Sequence, residues 1–332
     1  MALHDIVGRR WPVSRLTVDA DDIYATEVDV RLVGQIGGWL ETIQEIDISQ
    51  RERIVLRDLH DSMTRAIFGS NQIERAGLKW ELTEYLCHKV LASDDDSEID
   101  LPSREFLLEK QPDLKNVSSA DITKRRHEVT QHAMAYRHIL HAFVTERTDF
   151  SGIEDIVKET HRILVHGVPL VEEGFEDIKP EDYGGIYRDV IVGAGTTNFT
   201  VPKFVPSQMA RMCESLERDL RQAEEKGAVD PFSVASKYSL EFVQIHPFRD
   251  GNGRMCRMIL NAIICRYLGV IIPIGEQAED REAYMAIKRK SSQDMHGHGD
   301  YATFVLHKGK TRVRQLKKKL TGKKDGEQGS GI

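Results

Sequence analysis

The chain has 332 residues, 40% hydrophobic and 30% charged, a balance typical of a folded globular protein and not of a disordered one. Its net charge of -7 comes from 46 Lys and Arg against 53 Asp and Glu, which excludes the overall basic character that favours nucleic acid or an anionic membrane. The four cysteines have no CxxC spacing, which argues against a zinc module and a disulfide framework and favours a reducing, cytoplasmic location.

Apolar residues recur at the helical period in eight segments, so the protein is predicted to be mainly α. These segments are 30–46, 50–68, 78–92, 126–145, 153–165, 207–224, 231–245 and 254–268. The most apolar stretch, 255–274, contains Arg257, Asn261 and Arg266, which are costly in hydrocarbon, and it therefore predicts a buried helix rather than a membrane span. The first residues lack an apolar segment long enough for a secretory signal, so we expect no export.

Three stretches differ in composition from these helices. Residues 93–119 are acidic and predict a loop or linker, while the β-branched and glycine-rich stretch 187–206 predicts a short hairpin. Residues 311–332 are basic and then low in complexity, which predicts a solvated helix end followed by a flexible tail. A nuclear location or a nucleic-acid contact of this tail is a minor alternative, and nucleic-acid binding is not expected.

Two patterns that resemble cofactor motifs are set aside. The stretch VIVGAGTTNF lacks the third glycine of a dinucleotide-binding loop. In HEVTQH, His127 and His132 are five residues apart, whereas metal ligands on one helical face are three or four apart. We interpret HEVTQH as part of a surface helix.

The stretch HPFRDGNGRMCR, residues 246–257, joins two predicted helices and has the composition of an anion site. Gly251, Asn252 and Gly253 lie where the second helix begins, and a helix amino terminus presents free N–H groups that an anion can approach closely at glycine. Arg254 and Arg257 are three residues apart and therefore share one helical face. The spacing predicts a phosphate cradle with two arginine clamps.

Two further residues of this stretch have the properties of catalytic groups. Asp250 can hold Mg²⁺, which typically uses one or two carboxylates together with substrate phosphates. His246 has a suitable pKa range for accepting a proton from an attacking hydroxyl. Phe248 is expected to point into the core and to anchor the loop.

Residues 246–257 resemble the Fic family motif, HxFx[D/E]GNGRxxR, at every defined position, and the similarity extends over most of 126–310. The resemblance implies a mainly helical bundle with a short β-hairpin flap over the active site. It also implies transfer of AMP from ATP, with Mg²⁺ or Mn²⁺, to a Ser, Thr or Tyr hydroxyl of a target protein. The expected partners are thus ATP and a protein with an accessible hydroxyl, with a homodimer possible and no membrane.

By this resemblance His246 is the catalytic base and Asp250 the metal ligand. The resemblance assigns nucleotide binding to Phe248, Gly251, Asn252, Gly253, Arg254, Arg257 and Tyr284. The flap that clamps the target by strand addition contains Val190, Ile191, Val192, Thr197 and Phe199.

An upstream segment resembles the inhibitory motif of the same family, [S/T]xxxE[G/N], with Ser70 and Glu74 in place. In that family, the glutamate pairs with the arginine that corresponds to Arg257. This pairing excludes the γ-phosphate of ATP, because the carboxylate occupies the guanidinium that the phosphate requires. Arg75 stands where the motif has Gly or Asn. The resemblance predicts a self-inhibited enzyme.

The predicted organisation is an N-terminal extension at 1–48, a helical region at 49–125 that contains the inhibitory helix at about 66–75 and the acidic linker, a catalytic core at 126–310 and the basic tail at 311–332. Ser291 stands seven residues after Tyr284, where the family commonly has asparagine, so a transferase of another nucleotide stays an alternative. Removal of AMP from a modified target with the help of Glu74, and ATP binding by a module without catalysis, stay open as well.

Overall fold

The computed structural model describes residues 15–18, 24, 26–93, 101–145, 151–171, 176–194, 197–294 and 297–322. Within these ranges the α-helices are α1 (Glu27–Gln44), α2 (Ile48–Glu74), α3 (Trp80–Ala92), α4 (Arg104–Lys110), α5 (Ser119–Leu140), α6 (Ile153–Val165), α7 (Pro180–Tyr183), α8 (Val205–Lys226), α9 (Pro231–Ile245), α10 (Asn252–Leu268), α11 (Ala278–Asp294) and α12 (Gly297–Thr321). Short 3-10 turns cover Pro112–Asn116 and Pro202–Phe204, and a π turn covers His141–Thr145.

The mainly α fold and the hairpin that the sequence predicts are confirmed. Strand β2 (Gly193–Ala194) pairs antiparallel with β3 (Thr197–Asn198), with Gly193 opposite Asn198. A second pair, which the sequence pattern does not predict, joins β1 (Arg15–Leu16) in parallel to β4 (Ala228–Val229). Because β4 directly precedes α9, this pair fastens the amino-terminal part of the chain to the helices that hold the site.

Helix α10 lies at the centre of the bundle, in contact with α9, α5 and α2. Every residue of α10 except Gly253 is buried, including its asparagines and arginines. Asn261 is paired on both sides of its amide, since its Nδ2 donates to Arg257 O at 3.0 Å and its Oδ1 accepts from Ile272 N at 2.7 Å. None of the helices in the described ranges is both long and apolar enough to cross a bilayer.

Local sequence signals fix the ends of the two helices that flank the motif. Asp230 caps α9 by accepting from the N–H groups of Phe232 and Ser233 at 3.1 Å, and Pro231 occupies the first helical position. Helix α9 ends at His246, whose φ of 53° is left-handed, and α10 begins after Gly251, whose φ is 78°. The loop between the helices is therefore short and sharply turned.

The structure bears on two predictions about segments outside the core: the helix end at 311–321 is present, whereas the loop predicted at 93–119 is wrong in part because it contains a helix. Residues 311–321 form the end of α12, with Val313 and Leu316 buried and most of the basic residues at least partly exposed. The predicted linker contains α4, capped by Ser103, and its Leu107 and Leu114 are buried. Residues 94–100 and 323–332 lie outside the described part of the chain.

Candidate active site

The motif loop is held in shape by Asn252. The Asn252 side chain accepts from Phe248 N at 2.9 Å and donates to Phe248 O at 2.8 Å, and it is only 2% exposed. The Phe248 side chain is fully buried, which confirms that it anchors the loop. Both side chains are turned into the loop and the core, and their predicted contact with a nucleotide stays a prediction.

A second anchor of the loop, His161 on α6, was not predicted from the sequence. Its ring stacks on Phe248 at 3.7 Å between centroids. His161 Nδ1 accepts from Gly185 N at 2.9 Å, so Nε2 carries the proton and donates to Asp250 O at 3.0 Å. Burial lowers the pKa of His161 to about 4, which keeps the ring neutral in these roles. A lone histidine in an apolar helix gives no sequence signal for such a role.

His246 has the protonation state that a general base needs. Its Nδ1 lies 3.3 Å from Val243 O, and since a carbonyl oxygen can only accept, Nδ1 donates and Nε2 is left unprotonated. Burial lowers the pKa of His246 to about 4. The ring of Phe199 stacks on the imidazole at 3.8 Å, so one predicted flap residue lies directly on the base.

Arg188 joins the flap to the catalytic loop and was not among the predicted site residues. It is 3% exposed, and its Nε donates to His246 O at 2.6 Å. Its other nitrogens donate to Val190 O at 2.8 Å and to Thr200 O on the two sides of the hairpin. The sequence signal for this role is an arginine just before the β-branched run. A charged side chain that is buried where a hairpin begins needs hydrogen-bond partners.

The predicted flap residues differ in exposure. Ile191 is 85% exposed and Val190 is 39% exposed, whereas Val192 and Phe199 are half-buried. Thr197 lies in β3. Large exposed apolar side chains beside the base are suited to contact with another protein chain.

Arg254 has unsatisfied hydrogen-bonding capacity. It is 3% exposed, and one nitrogen donates to Asp250 Oδ2 at 2.7 Å. Its Nε and its other terminal nitrogen are buried and have no hydrogen-bond partner among the described residues. Because buried donors without partners are costly, an anion placed against this guanidinium would be bound favourably.

The Arg257 side chain forms hydrogen bonds with both predicted residues of the upstream inhibitory motif. Its Nε donates to Ser70 Oγ at 2.9 Å, and one terminal nitrogen donates to Glu74 Oε1 at 2.6 Å. The other terminal nitrogen lies 3.4 Å from the Tyr284 hydroxyl. Tyr284 is fully buried and its hydroxyl lies against Arg257, and its predicted contact with a nucleotide stays a prediction.

The Glu74 carboxylate occupies the mouth of the glycine cradle. A Cβ atom added at Gly253 would overlap Glu74 Oε1, so the carboxylate rests directly on the cradle. Burial disfavours ionisation of Glu74, but Arg257 outweighs it and holds the pKa of the carboxyl below its usual value. An anionic side chain of the protein therefore lies directly against the amino terminus of α10, the predicted anion site.

Helix α2 ends beside Glu74 in a left-handed turn fastened to α5. Arg75 has a φ of 55°, and Ala76 N donates to Asn71 O at 2.9 Å, as in a Schellman motif. Glu128 accepts from Gly77 N at 2.7 Å. His132 is fully buried against Asn71, with 3.0 Å between His132 Nδ1 and Asn71 Oδ1, so the prediction that HEVTQH lies on a surface helix was wrong.

Comparison with known proteins agrees with this geometry. The family described as Fic/DOC matches residues 150–264. A Fido domain-containing protein of Dictyostelium discoideum is 32% identical over 104 residues, which are 31% of this chain and 69% of that protein. Protein adenylyltransferase fic-1 of Caenorhabditis briggsae is 30% identical over 39% of this chain and 22% of its own length.

A uridine 5'-monophosphate transferase of Xanthomonas campestris is 28% identical over 37% of this chain and 24% of its own length. The chain thus spans about a quarter of the length of the two named transferases. In structure, a Fic domain containing signaling protein of Bacteroides thetaiotaomicron superposes with a TM-score of 0.61 at 18% identity, over 89% of this chain and 98% of that one. This likeness shows a shared fold.

Proposed function

Because the chain belongs to the Fic/DOC family, we propose that it is a self-inhibited protein adenylyltransferase that transfers AMP from ATP to a Ser, Thr or Tyr hydroxyl of a target protein. The observation that carries the proposal is the buried, partly unpaired guanidinium of Arg254 at a glycine cradle that also holds a neutral His246. The guanidinium of Arg254 can bind a phosphate, and the imidazole of His246 can accept the proton of a hydroxyl.

In the proposed reaction, His246 Nε2 takes the proton of the target hydroxyl. The hydroxyl oxygen bonds to the α-phosphorus, the bond from that phosphorus to the α,β-bridging oxygen breaks, and pyrophosphate leaves. Arg254 and the N–H groups at the start of α10 neutralise charge on the phosphates. Phe199 and the flap hold the target chain over the base.

Asp250 is the carboxylate proposed to hold Mg²⁺. Its side chain is 44% exposed and only Oδ2 is bound to Arg254, so the donor set fits an ion that takes most of its ligands from water and phosphates. The described residues contain no cluster of three or more His, Cys, Asp or Glu side chains that could hold a metal by themselves. When bound, Mg²⁺ would neutralise phosphate charge during the transfer.

We propose that Glu74 inhibits this reaction by occupying Arg257 and the space over Gly253. The ion pair at 2.6 Å and the overlap at Gly253 support this role. Removal of the carboxylate frees the Arg257 guanidinium for the γ-phosphate, and it also removes a like charge from the cradle.

The test uses intact-mass analysis and α-labelled nucleotides with Mg²⁺. We expect Glu74→Gly to incorporate label from ATP much faster than the wild type, and Glu74→Gly with His246→Ala to incorporate none. Glu74→Gln, which keeps the size but not the charge, separates the ion pair from the steric effect. If Glu74→Gly incorporates no label from ATP, the proposed AMP transfer fails, whatever GTP, CTP or UTP gives.

Transfer of a nucleotide other than AMP is the second candidate. It is favoured by the burial of Tyr284, which withdraws it from contact with a base, and by the similarity to a uridine 5'-monophosphate transferase. The four-nucleotide comparison decides between the two candidates through the added mass. Release of AMP from a pre-modified target by the wild type but not by Glu74→Gly would instead indicate de-AMPylation, in which water attacks the phosphorus and the target hydroxyl leaves.

A further inference from the structure

Helix α2 makes an unusually close backbone contact just before the inhibitory motif. Gly69 precedes Ser70 and is buried. A Cβ atom at Gly69 would lie 2.5 Å from Glu276 N, 2.5 Å from Ile274 O and 2.8 Å from Gly275 C. All three neighbours are backbone atoms, so no change of side-chain rotamer could make room.

The opposing segment makes the same contact from its own side. A Cβ at Gly275, whose φ is 91°, would lie 2.6 Å from Gly69 O and 2.5 Å from the Ile73 side chain. Gly69 and Ile73 are one helical turn apart and share the face that meets Gly275. The two backbones therefore touch directly, which only glycine at both positions allows.

The segment around Gly275 is itself fixed to the rest of the bundle. Gly275 N donates to Asp280 Oδ2 at 2.7 Å, and Arg281 donates to Gly275 O at 3.0 Å. Asp280 also accepts from Lys308 on α12 at 2.7 Å, and Glu276 forms an ion pair with Arg65 on α2. Helix α2 thus packs against a segment that hydrogen bonds and an ion pair hold in place.

We propose that the backbone contact between Gly69 and Gly275 is the positioning element that sets how far Glu74 reaches into the cradle. This inference rests on the proposed function, since it concerns how the inhibition is maintained. Adding a methyl group at Gly69 requires the backbones to separate by about 1 Å, because ordinary carbon contacts lie at about 3.5–4.0 Å. A shift of that size moves the Glu74–Arg257 contact from 2.6 Å beyond good hydrogen-bond range.

The test measures the dissociation constant of a non-hydrolysable ATP analogue with Mg²⁺ by calorimetry, together with the transfer rate. We expect Gly69→Ala to bind the analogue about tenfold more tightly than the wild type, the scale typical of coupling between two sites. In the Glu74→Gly background, Gly69→Ala should give no further gain in affinity or transfer rate, because the contact that it displaces is already absent.

Gly34→Ala and Gly38→Ala are the matched controls. Both glycines lie in α1, and a Cβ at either would have nothing within 4 Å, so these changes alter a helical glycine without moving a backbone. Their affinity for the analogue should equal that of the wild type.

The outcomes separate this proposal from the proposed function. If Glu74→Gly gains neither affinity nor transfer, the proposed function fails. If Glu74→Gly gains and a folded Gly69→Ala does not, the positioning role is overturned. Should Gly69→Ala not fold, Gly275→Ala tests the same contact from the other side, and failure of both to fold would overturn the proposal by showing that the contact serves folding.

Discussion

At the scale of single residues, the environment of His246 decides its chemistry. The residue ends α9 in a left-handed conformation that costs a non-glycine residue about 1 kcal/mol or more. That conformation turns Nδ1 toward Val243 O and leaves Nε2 as the acceptor. A strained residue that is held in one tautomer is typical of a preorganised base.

We expect the His246 ring to titrate near pH 4, below the usual value of about 6.5, because burial disfavours the charged form. Two-dimensional NMR of the ring, assigned by the signal that His246→Ala removes, measures this directly. In the Glu74→Gly background, His246→Ala should lower the transfer rate by about 10²–10⁴-fold. A ring that titrates at its ordinary pKa would contradict the burial argument.

Arg188 is expected to act as a positioning residue for the flap. Arg188→Ala removes donors to His246 O, Val190 O and Thr200 O, and it leaves these carbonyls without their partner. In the Glu74→Gly background we predict loss of transfer to a protein target with little change in affinity for the ATP analogue. The exposed Arg218→Ala on α8 is the control, and equal losses of nucleotide affinity and transfer would contradict a role limited to the flap.

At the scale of elements, the end of α2 places Arg75 in a backbone conformation that this residue type disfavours. Arg75 occupies the left-handed position where glycine is favoured, and the exposed end is held by Asn71 O and Glu128. Arg stands here where the inhibitory motif that this segment resembles has Gly or Asn. The left-handed conformation of Arg75 leaves unfavourable conformational energy next to Glu74.

Arg75→Gly should therefore raise the free energy of unfolding by about 0.5–1 kcal/mol relative to Arg75→Ala, because only glycine relieves the left-handed conformation. Chemical denaturation of both variants measures the difference, and the alanine variant controls for loss of the side chain. Because its inhibitory helix ends more firmly, Arg75→Gly should also show less residual transfer than the wild type. Equal stabilities of the two variants would show that Arg75 is unstrained.

At the scale of the whole molecule, several histidines are buried in neutral form around the site. Burial lowers the pKa of His161 and of His246 to about 4 and holds that of His132 well below its usual value. Between pH 6.5 and 4 the unfolded chain binds protons at these positions and the folded chain does not. Stability is therefore complete above pH 6.5 and decreases as the pH falls toward 4.

Each such histidine contributes a slope of up to about 1.4 kcal/mol per pH unit within that window. Urea unfolding at intervals from pH 7.5 to 4.5 should show this decrease, and His161→Gln should reduce the slope even though it lowers the stability at pH 7.5. An unchanged slope in His161→Gln would show that His161 is not the neutral buried group described above.

The sequence by itself determined most of the helices and the chemistry of the motif. Apolar periodicity located α6, α9 and α10 within two residues of their observed ends, because periodicity depends only on which face is buried. The spacing of Gly251, Gly253, Arg254 and Arg257 likewise predicted a cradle, because a helix amino terminus binds anions wherever it occurs. The same reasoning missed α4, where charged residues cover a narrow apolar stripe.

Only the tertiary structure decided which side chains are available to a ligand and which ones hold the site. Phe248, Asn252 and Tyr284 are withdrawn into the core, whereas His161 and Arg188 hold the loop and the flap from distant positions in the chain. The approach of Glu74 to Arg257, 183 positions away, depends on the packing of α2 against a separate segment. Contacts of this kind arise from backbone paths and close packing, which periodicity and spacing do not encode.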